Sequence, residues 1–306
     1  MNPRDHNQRL SRRGYTAWGI LLILSLIWGS SFILIKKSLL AFSPEEVGSA
    51  RIAISFLAFT PLFFYQLKRI DWTKFWPLLV VGLFGSALPA FLYATAQTQI
   101  PSAIAGLLNA LTPIFAFILS VMAFRKSFSW QQLLGITLGF AGTAIIFFSQ
   151  NEVSGDFPLL MGFLLVLATF CYGISANTVS SFLGTIHPLI ISTVSFVMIG
   201  PWMLIYLLQT DFITHINTHE HSHISLLALM TLSLVGTFGA NIIFFRLVQL
   251  TDAVFASSVS FLVPIVAFGW GVLDGESFSL AFFIALILIF TGVFLVKFKK
   301  DDRSQN

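Results

Sequence analysis

Long apolar runs alternate with short polar breaks along nearly the whole chain. Roughly 20 apolar residues in a helix cross the hydrocarbon core of a bilayer. On that measure the runs predict helices at roughly 16–36, 45–66, 75–97, 101–124, 129–149, 157–182, 187–208, 225–248, 252–273 and 277–298. Lipid offers backbone N–H and C=O groups no water, so each run is expected to be helical. Gly and Pro inside the runs do not argue against this, since membrane helices tolerate both. The breaks carry start signals. Ser43-Pro44-Glu45-Glu46 combines an N-cap Ser, a Pro at the first helical position and a Glu three residues after the cap. Ser129 with Gln132 is a weaker capping box, Pro101 opens the fourth run after a tight turn, and Pro188 and Asp252 mark starts of the seventh and ninth.

The chain also repeats itself once. Trp28-Gly29 is followed by Pro44, and Tyr172-Gly173 by Pro188, at an offset of 144. Ser102-Ala103, Pro113, Phe128-Ser129 and Gly142 are matched by Asp252-Ala253, Pro264, Phe278-Ser279 and Gly292, at offsets of 150 or 151. Charge sets the orientation. Of the 17 Lys and Arg residues, all but Lys36, Lys37 and Arg51 fall in the two tails, in alternate breaks or at the span ends beside them (Arg246 and Lys297), and the opposite breaks hold mainly acids. The positive-inside rule then places both termini in the cytoplasm, in agreement with an even number of spans. Five spans per half is odd, so the second half enters the membrane the other way up. The expected fold is an all-α integral membrane protein of ten transmembrane helices in two inverted five-helix repeats. The repeats cover 16–149 and 157–298, Asn151 to Asp156 link them, and 1–15 and 299–306 are cytoplasmic tails.

Composition narrows the function classes. The 306 residues are 56% hydrophobic and 10% charged, with a mean hydropathy of +0.87; soluble domains carry about 25% charged residues. A pI near 9.3 would suit nucleic acid, but the basic residues lie in short breaks and tails, where they read as topology signals. The single cysteine, Cys171, excludes an internal disulfide and any multi-cysteine metal site. The first apolar run follows a basic tail but is too long for a signal-peptide core, so it is read as a retained span. The expected partners are a small-molecule substrate and the lipid bilayer, with no nucleic acid, no cofactor and no metal; a homodimer is left open.

The run Leu26-Ile27-Trp28-Gly29-Ser30-Ser31-Phe32 resembles the start of the bacterial EamA-type transporters of the drug/metabolite transporter superfamily. So do Arg51, Ser102 through Pro113, and Gly135, Gly139 and Gly142, with the second half echoing them from Ala253 to Pro264 and at Gly292. The resemblance covers about 290 residues. It implies ten helices in inverted repeats, alternating access, export or exchange of small metabolites such as amino acids, and a place in the bacterial inner membrane. It also implies a central cavity lined by spans one, three, four, six, eight and nine. This chain departs from the family pattern at Thr112 and Val263, where many members have an acid before the Pro. Its first span also lacks the buried glutamate of the small multidrug members.

Polar and aromatic groups at mid-depth in those spans are the candidate substrate-binding residues, because an unpaired polar group in hydrocarbon costs several kcal/mol. They are Trp28, Ser31, Tyr93, Asn109, Tyr172, Asn177 and Asn241. Trp28 and Tyr172 occupy matching places and would clamp a flat solute from two sides, or simply pack. The three amides would bind substrate or tie helices together. Ser30, Ser175 and Gln97 stand nearby with weaker claims. Pro113 and Pro264 interrupt the helical ladder and are candidate hinges. Arg51 either attracts an anionic group or snorkels to the outer surface, and the second role is favoured. His215, His219, His221 and His223 cluster in the break between spans seven and eight, where metal binding is the weaker reading. No acid lies deep in a span, so proton coupling would have to use His187, Glu46 or Asp252 at helix ends. The leading expectation is a secondary transporter exporting a small metabolite. The alternatives are an intramembrane lipid-modifying enzyme and a non-transporting structural membrane protein; no G-x-S-x-G, paired membrane Asp or P-loop supports an enzyme or an ATPase.

Overall fold

The computed structural model describes residues 3–127, 129–149, 158–273 and 280–296. The link Asn151 to Asp156, Phe128, Glu276, Phe278-Ser279 and the tail 299–306 lie outside the described residues. Within them there is helix and turn and no strand. The helices are α1 (Pro3–Ser38), α2 (Pro44–Gln66), α3 (Phe75–Gly82), α4 (Leu88–Ala96), α5 (Ser102–Asn109), α6 (Thr112–Met122), α7 (Trp130–Ser149) and α8 (Leu159–Phe182). They continue as α9 (Pro188–Leu208), α10 (Phe212–Thr218), α11 (Ser222–Ser233), α12 (Ala240–Leu250), α13 (Ala253–Ser257), α14 (Val259–Leu273) and α15 (Leu280–Leu295). Among the described residues seven helical stretches are long and apolar enough to cross a membrane, and two shorter apolar helices follow at Ala253–Val266 and Phe283–Leu295. This is a multi-pass membrane protein.

The start signals act as expected. Ser43 Oγ accepts from the Glu46 N–H at 3.3 Å, and Glu46 Oε2 accepts from the Ser43 N–H at 2.8 Å, which closes the capping box of α2. Asp252 Oδ1 caps α13 by accepting from the Phe255 N–H at 2.8 Å. Pro188 opens α9.

The structure departs from the sequence reading in three places. Helix α1 begins at Pro3, inside the segment expected to be a tail. The break after span seven contains α10, held by Phe212 against Phe42 (ring centroids 4.8 Å apart) and by His215 Nδ1, which lies 3.0 Å from Glu46 Oε2. Spans three, four, eight and nine are interrupted. A π-helical turn at Leu83–Ala87 separates α3 from α4, and another at Leu234–Gly239 separates α11 from α12. The two turns start 151 residues apart, the offset between Pro113 and Pro264, so the duplication extends to an irregularity. Ala110 and Leu111 break the fourth span, and Ser258 the ninth.

Matched helices pack on one another. α2 lies along α9, and α7 along α15; α1 packs on α11, α12 and α14, while α8 packs on α3, α4 and α6. Small residues allow the closest approach. A Cβ at Gly135 would sit 2.6 Å from the Gly292 carbonyl oxygen, so the α7–α15 backbones nearly touch. Buried Leu165, Ala168 and Cys171 line one face of α8 while Leu160, Phe163 and Leu167 stand exposed on another, as a helix between protein and lipid requires. Gly135→Val should therefore lower stability by about 1–3 kcal/mol through overpacking. Gly162→Val, with nothing within 4 Å of its added Cβ, should leave it unchanged. Melting curves of the two purified variants in one detergent check the pair.

Candidate substrate cavity

The interrupted helices meet around a cavity of about 840 Å³ of empty space, its mouth included. Both halves of the chain line it. The π turns contribute Gly85 and Ser86 from one half and Gly236 and Thr237 from the other, pairs that the offset of 151 superposes. A π turn inserts one extra residue into a helical turn, which disturbs the regular carbonyl ladder there, and around the second turn the displaced carbonyls find side-chain donors. Trp28 Nε1 donates to the Gly236 carbonyl at 3.0 Å, Thr237 Oγ1 to that of Leu232 at 3.1 Å and Ser55 Oγ to that of Ser233 at 2.9 Å.

Two aromatic pairs face the space. Trp28 meets Phe244 with centroids 5.1 Å apart, and Tyr172 stacks on Tyr93 at 6.1 Å. The offset of 144 carries Trp28 to Tyr172, and that of 151 carries Tyr93 to Phe244, so one pair is the duplicate of the other. A polar chain crosses between the halves. Tyr93 Oη donates to Asn109 Oδ1 at 2.9 Å, and Asn109 Nδ2 donates to Ser260 Oγ at 3.2 Å. Asn109 and Ser260 are themselves 151 residues apart: residues matched by the duplication touch each other. Asn241 Nδ2 donates to Ser86 Oγ at 3.3 Å.

Six of the seven residues singled out from the sequence line this cavity: Trp28, Ser31, Tyr93, Asn109, Tyr172 and Asn241. Asn177 does not. It is fully buried, and its Nδ2 donates to the Ala116 carbonyl at 2.8 Å and to that of Gly173 at 3.0 Å, which ties α8 to α6. Ser30 is also absent, its hydroxyl donating back to the Leu26 carbonyl. Gln97 bonds the Phe32 carbonyl and Ser102 at the tight turn. Pro113 sits in the first turn of α6, after the break at Ala110 and Leu111, and Pro264 lies inside α14, six residues past the break at Ser258. Neither break coincides with its proline. His215 pairs with Glu46 and not with His219, and no group of three His, Cys, Asp or Glu side chains among the described residues is placed to hold a metal.

Arg51 belongs to α2 and ties it to the second π turn. It lines the cavity, with Nε donating to Thr237 Oγ1 at 2.7 Å. The signal was available, since a lone guanidinium inside an apolar run is expensive, but its depth alone could not separate a cavity from the outer surface.

Two stretches of the chain, residues 17–148 and 159–298, match the model of the EamA-like transporter family. The chain belongs to the EamA-like transporter family. Among its relatives is a probable amino-acid metabolite efflux pump of Escherichia coli K12, 26% identical over 90% of this chain and 93% of that one. An S-adenosylmethionine/S-adenosylhomocysteine transporter of Chlamydia trachomatis serovar L2 is 23% identical over 90% of this chain and 88% of its own length. An uncharacterized transporter of Archaeoglobus fulgidus is 25% identical over 59% of this chain, which spans 63% of that relative. A solved crystal structure shares the fold at a TM-score of 0.68 and 16% identity, covering 92% of this chain and 96% of the other.

In this EamA-like protein the two tyrosines of one aromatic pair differ in a testable way. Tyr93 Oη has Asn109 as its acceptor, whereas Tyr172 Oη has no hydrogen-bond partner among the described residues and is not enclosed by protein. Tyr93→Phe should cost about 1 kcal/mol of stability, and Asn177→Ala, which removes the α8–α6 tie, about as much. Tyr172→Phe should leave the melting curve in place. Denaturation of the three variants side by side checks this ranking.

Proposed function

We propose that this protein is a secondary transporter that exports a small metabolite, an amino acid or related compound, by alternating access around the mid-membrane cavity. In this reading ten helices cross the bilayer as two inverted repeats about a pseudo-twofold axis in the membrane plane, with both termini cytoplasmic. One observation carries it: residues equivalent by duplication meet at the cavity wall, as Asn109 and Ser260 do, and each half contributes to the matched aromatic pairs. An inverted repeat puts a solute between two bundles that rock about one site. The name of the Escherichia coli relative supports export and an amino-acid-related cargo.

Two closures support gating. At one end Phe42 and Phe212 pack beside the Glu46–His215 pair. At the other Gln249 Nε2 bonds the Leu183 carbonyl at 3.0 Å and that of Ile186 at 2.6 Å, joining the end of α12 to the turn after α8. Each closure opens in turn, and the helix breaks at Ala110–Leu111 and Ser258, with Pro113 and Pro264 further along the same spans, supply the bends. The candidate substrate contacts are Trp28, Ser31, Tyr93, Asn109, Tyr172 and Asn241.

Two measurements test this. In a Cys171→Ser background, a cysteine at His219 should label from outside intact cells and one at Thr73 only after permeabilisation; labelling of both from one side removes the inverted arrangement. In vesicles, Trp28→Ala should lower protein-dependent amino-acid efflux about two- to tenfold, as loss of one aromatic contact of roughly 0.5–1.5 kcal/mol implies. Unchanged efflux removes the Trp28 wall from the site.

A further inference from the structure

The cavity holds a positive charge with no negative one to match it. Arg51 stands about two turns into α2, half-buried, and its Nε is taken by Thr237 Oγ1 at 2.7 Å. Among the described residues this is the guanidinium's only hydrogen bond, and no Asp or Glu lines the cavity. Lys and Arg inside membrane segments normally find a partner, because an uncompensated charge away from water is costly. Two further cavity-lining groups, both on α8, have no hydrogen-bond partner among the described residues: Tyr172 Oη, which is open, and Ser175 Oγ, which is buried. The duplication isolates the feature. The offset of 144 carries Arg51 to Ser195, whose hydroxyl donates to the Leu78 carbonyl at 2.9 Å. The symmetric half of the frame therefore has no such charge, and the arginine is not a requirement of the fold.

We propose that Arg51 is the substrate-reading residue of this cavity and that it takes a carboxylate. With Nε engaged, the two terminal NH₂ groups remain, and they form an end-on fork that matches the two oxygens of a carboxylate. A single charge calls for a single countercharge, which favours a carboxylate over a phosphate dianion. Tyr172 Oη and Ser175 Oγ are donors for the remaining lone pairs. The substrate's body is apolar or aromatic and lies between Trp28–Phe244 and Tyr93–Tyr172. An ammonium group, as in an amino acid, meets aromatic faces and the free Asn241 Oδ1 rather than an acid. Thr237, from the second π turn, aims the guanidinium and is a positioning residue.

This inference rests on the transport reading above for its meaning, but binding can test it separately. The full chain in nanodiscs is titrated calorimetrically with phenylacetate, phenylacetamide, benzylphosphonate and L-phenylalanine. Phenylacetate should bind at least about tenfold tighter than the amide, the worth of a charge-assisted pair. Arg51→Gln should abolish that preference, and Arg51→Lys, which keeps the charge without the fork, should retain it in weaker form, which also covers a Gln variant that fails to fold. A tie between acid and amide, a preference that survives Arg51→Gln, or no binding of either acid at millimolar concentration overturns the proposal. Tighter binding of benzylphosphonate overturns the carboxylate assignment in favour of phosphate. Efflux of L-phenylalanine from proteoliposomes separates the two readings. Arg51-dependent binding without protein-dependent efflux sinks transport and leaves the anion site standing. Efflux equal in wild type and Arg51→Gln sinks the anion site and leaves transport standing.

Discussion

In hydrocarbon a backbone group that leaves its helix has no water to turn to. That constraint decides where this chain can be irregular. The π turns at Leu83–Ala87 and Leu234–Gly239 both occur where the helix faces the cavity. Around the second turn the carbonyls of Leu232, Ser233 and Gly236 each accept from a side chain, two of them on other helices. Trp28 is accordingly both a wall of the cavity and the seal on a freed carbonyl. The polar character of the site and the breaks in its helices are one feature with one cause.

The duplication supplies a frame, and differences between the halves supply the chemistry. Where the halves need only pack, they agree: Gly142 matches Gly292, and Pro44 matches Pro188. On the cavity wall they differ at several places, with Trp28 against Tyr172, Tyr93 against Phe244 and Asn109 against Ser260, and cavity-lining Arg51 is matched by Ser195, which bonds the Leu78 carbonyl instead. A symmetric site would present the same groups to both ends of a solute. This one places its single guanidinium on one wall, so a bound molecule with distinct ends has a preferred direction.

The helix ends were legible because a cap is a local event. Ser43 and Glu46 make their reciprocal bonds within four residues, and Asp252 reaches the Phe255 N–H three residues on. The repeat was legible as spacing. The π turns were not: Leu83–Ala87 and Leu234–Gly239 share a Leu and a Gly at matched positions, but neither residue marks a π turn, and both segments lie in apolar runs that read as unbroken helix. Amide side chains could not be sorted from sequence either. Asn109, Asn177 and Asn241 all sit at mid-span, yet rotation about each helix axis sends Asn177 into the α8–α6 seam and the other two to the cavity wall. For the same reason the sequence left Arg51 between two roles: depth along a helix says nothing of which way the side chain turns. The histidine-rich break was read as a loop because Phe212 meets Phe42 across some 170 residues of chain.

The arrangement around Arg51 also bears on why the site is built at the expense of stability. A serine fills the matching place in the other half and closes a helix-to-carbonyl bond there. The same choice at position 51 would fit the frame and bury no charge. Keeping a guanidinium with one hydrogen bond, beside an unpartnered tyrosine hydroxyl and an unpartnered serine, leaves three groups underused in the same cavity. Unsatisfied polar groups are costly one at a time. Here only the Ser175 hydroxyl is buried without a partner, while the Arg51 fork and the Tyr172 hydroxyl face the open cavity, and one solute touching all three would account for them together.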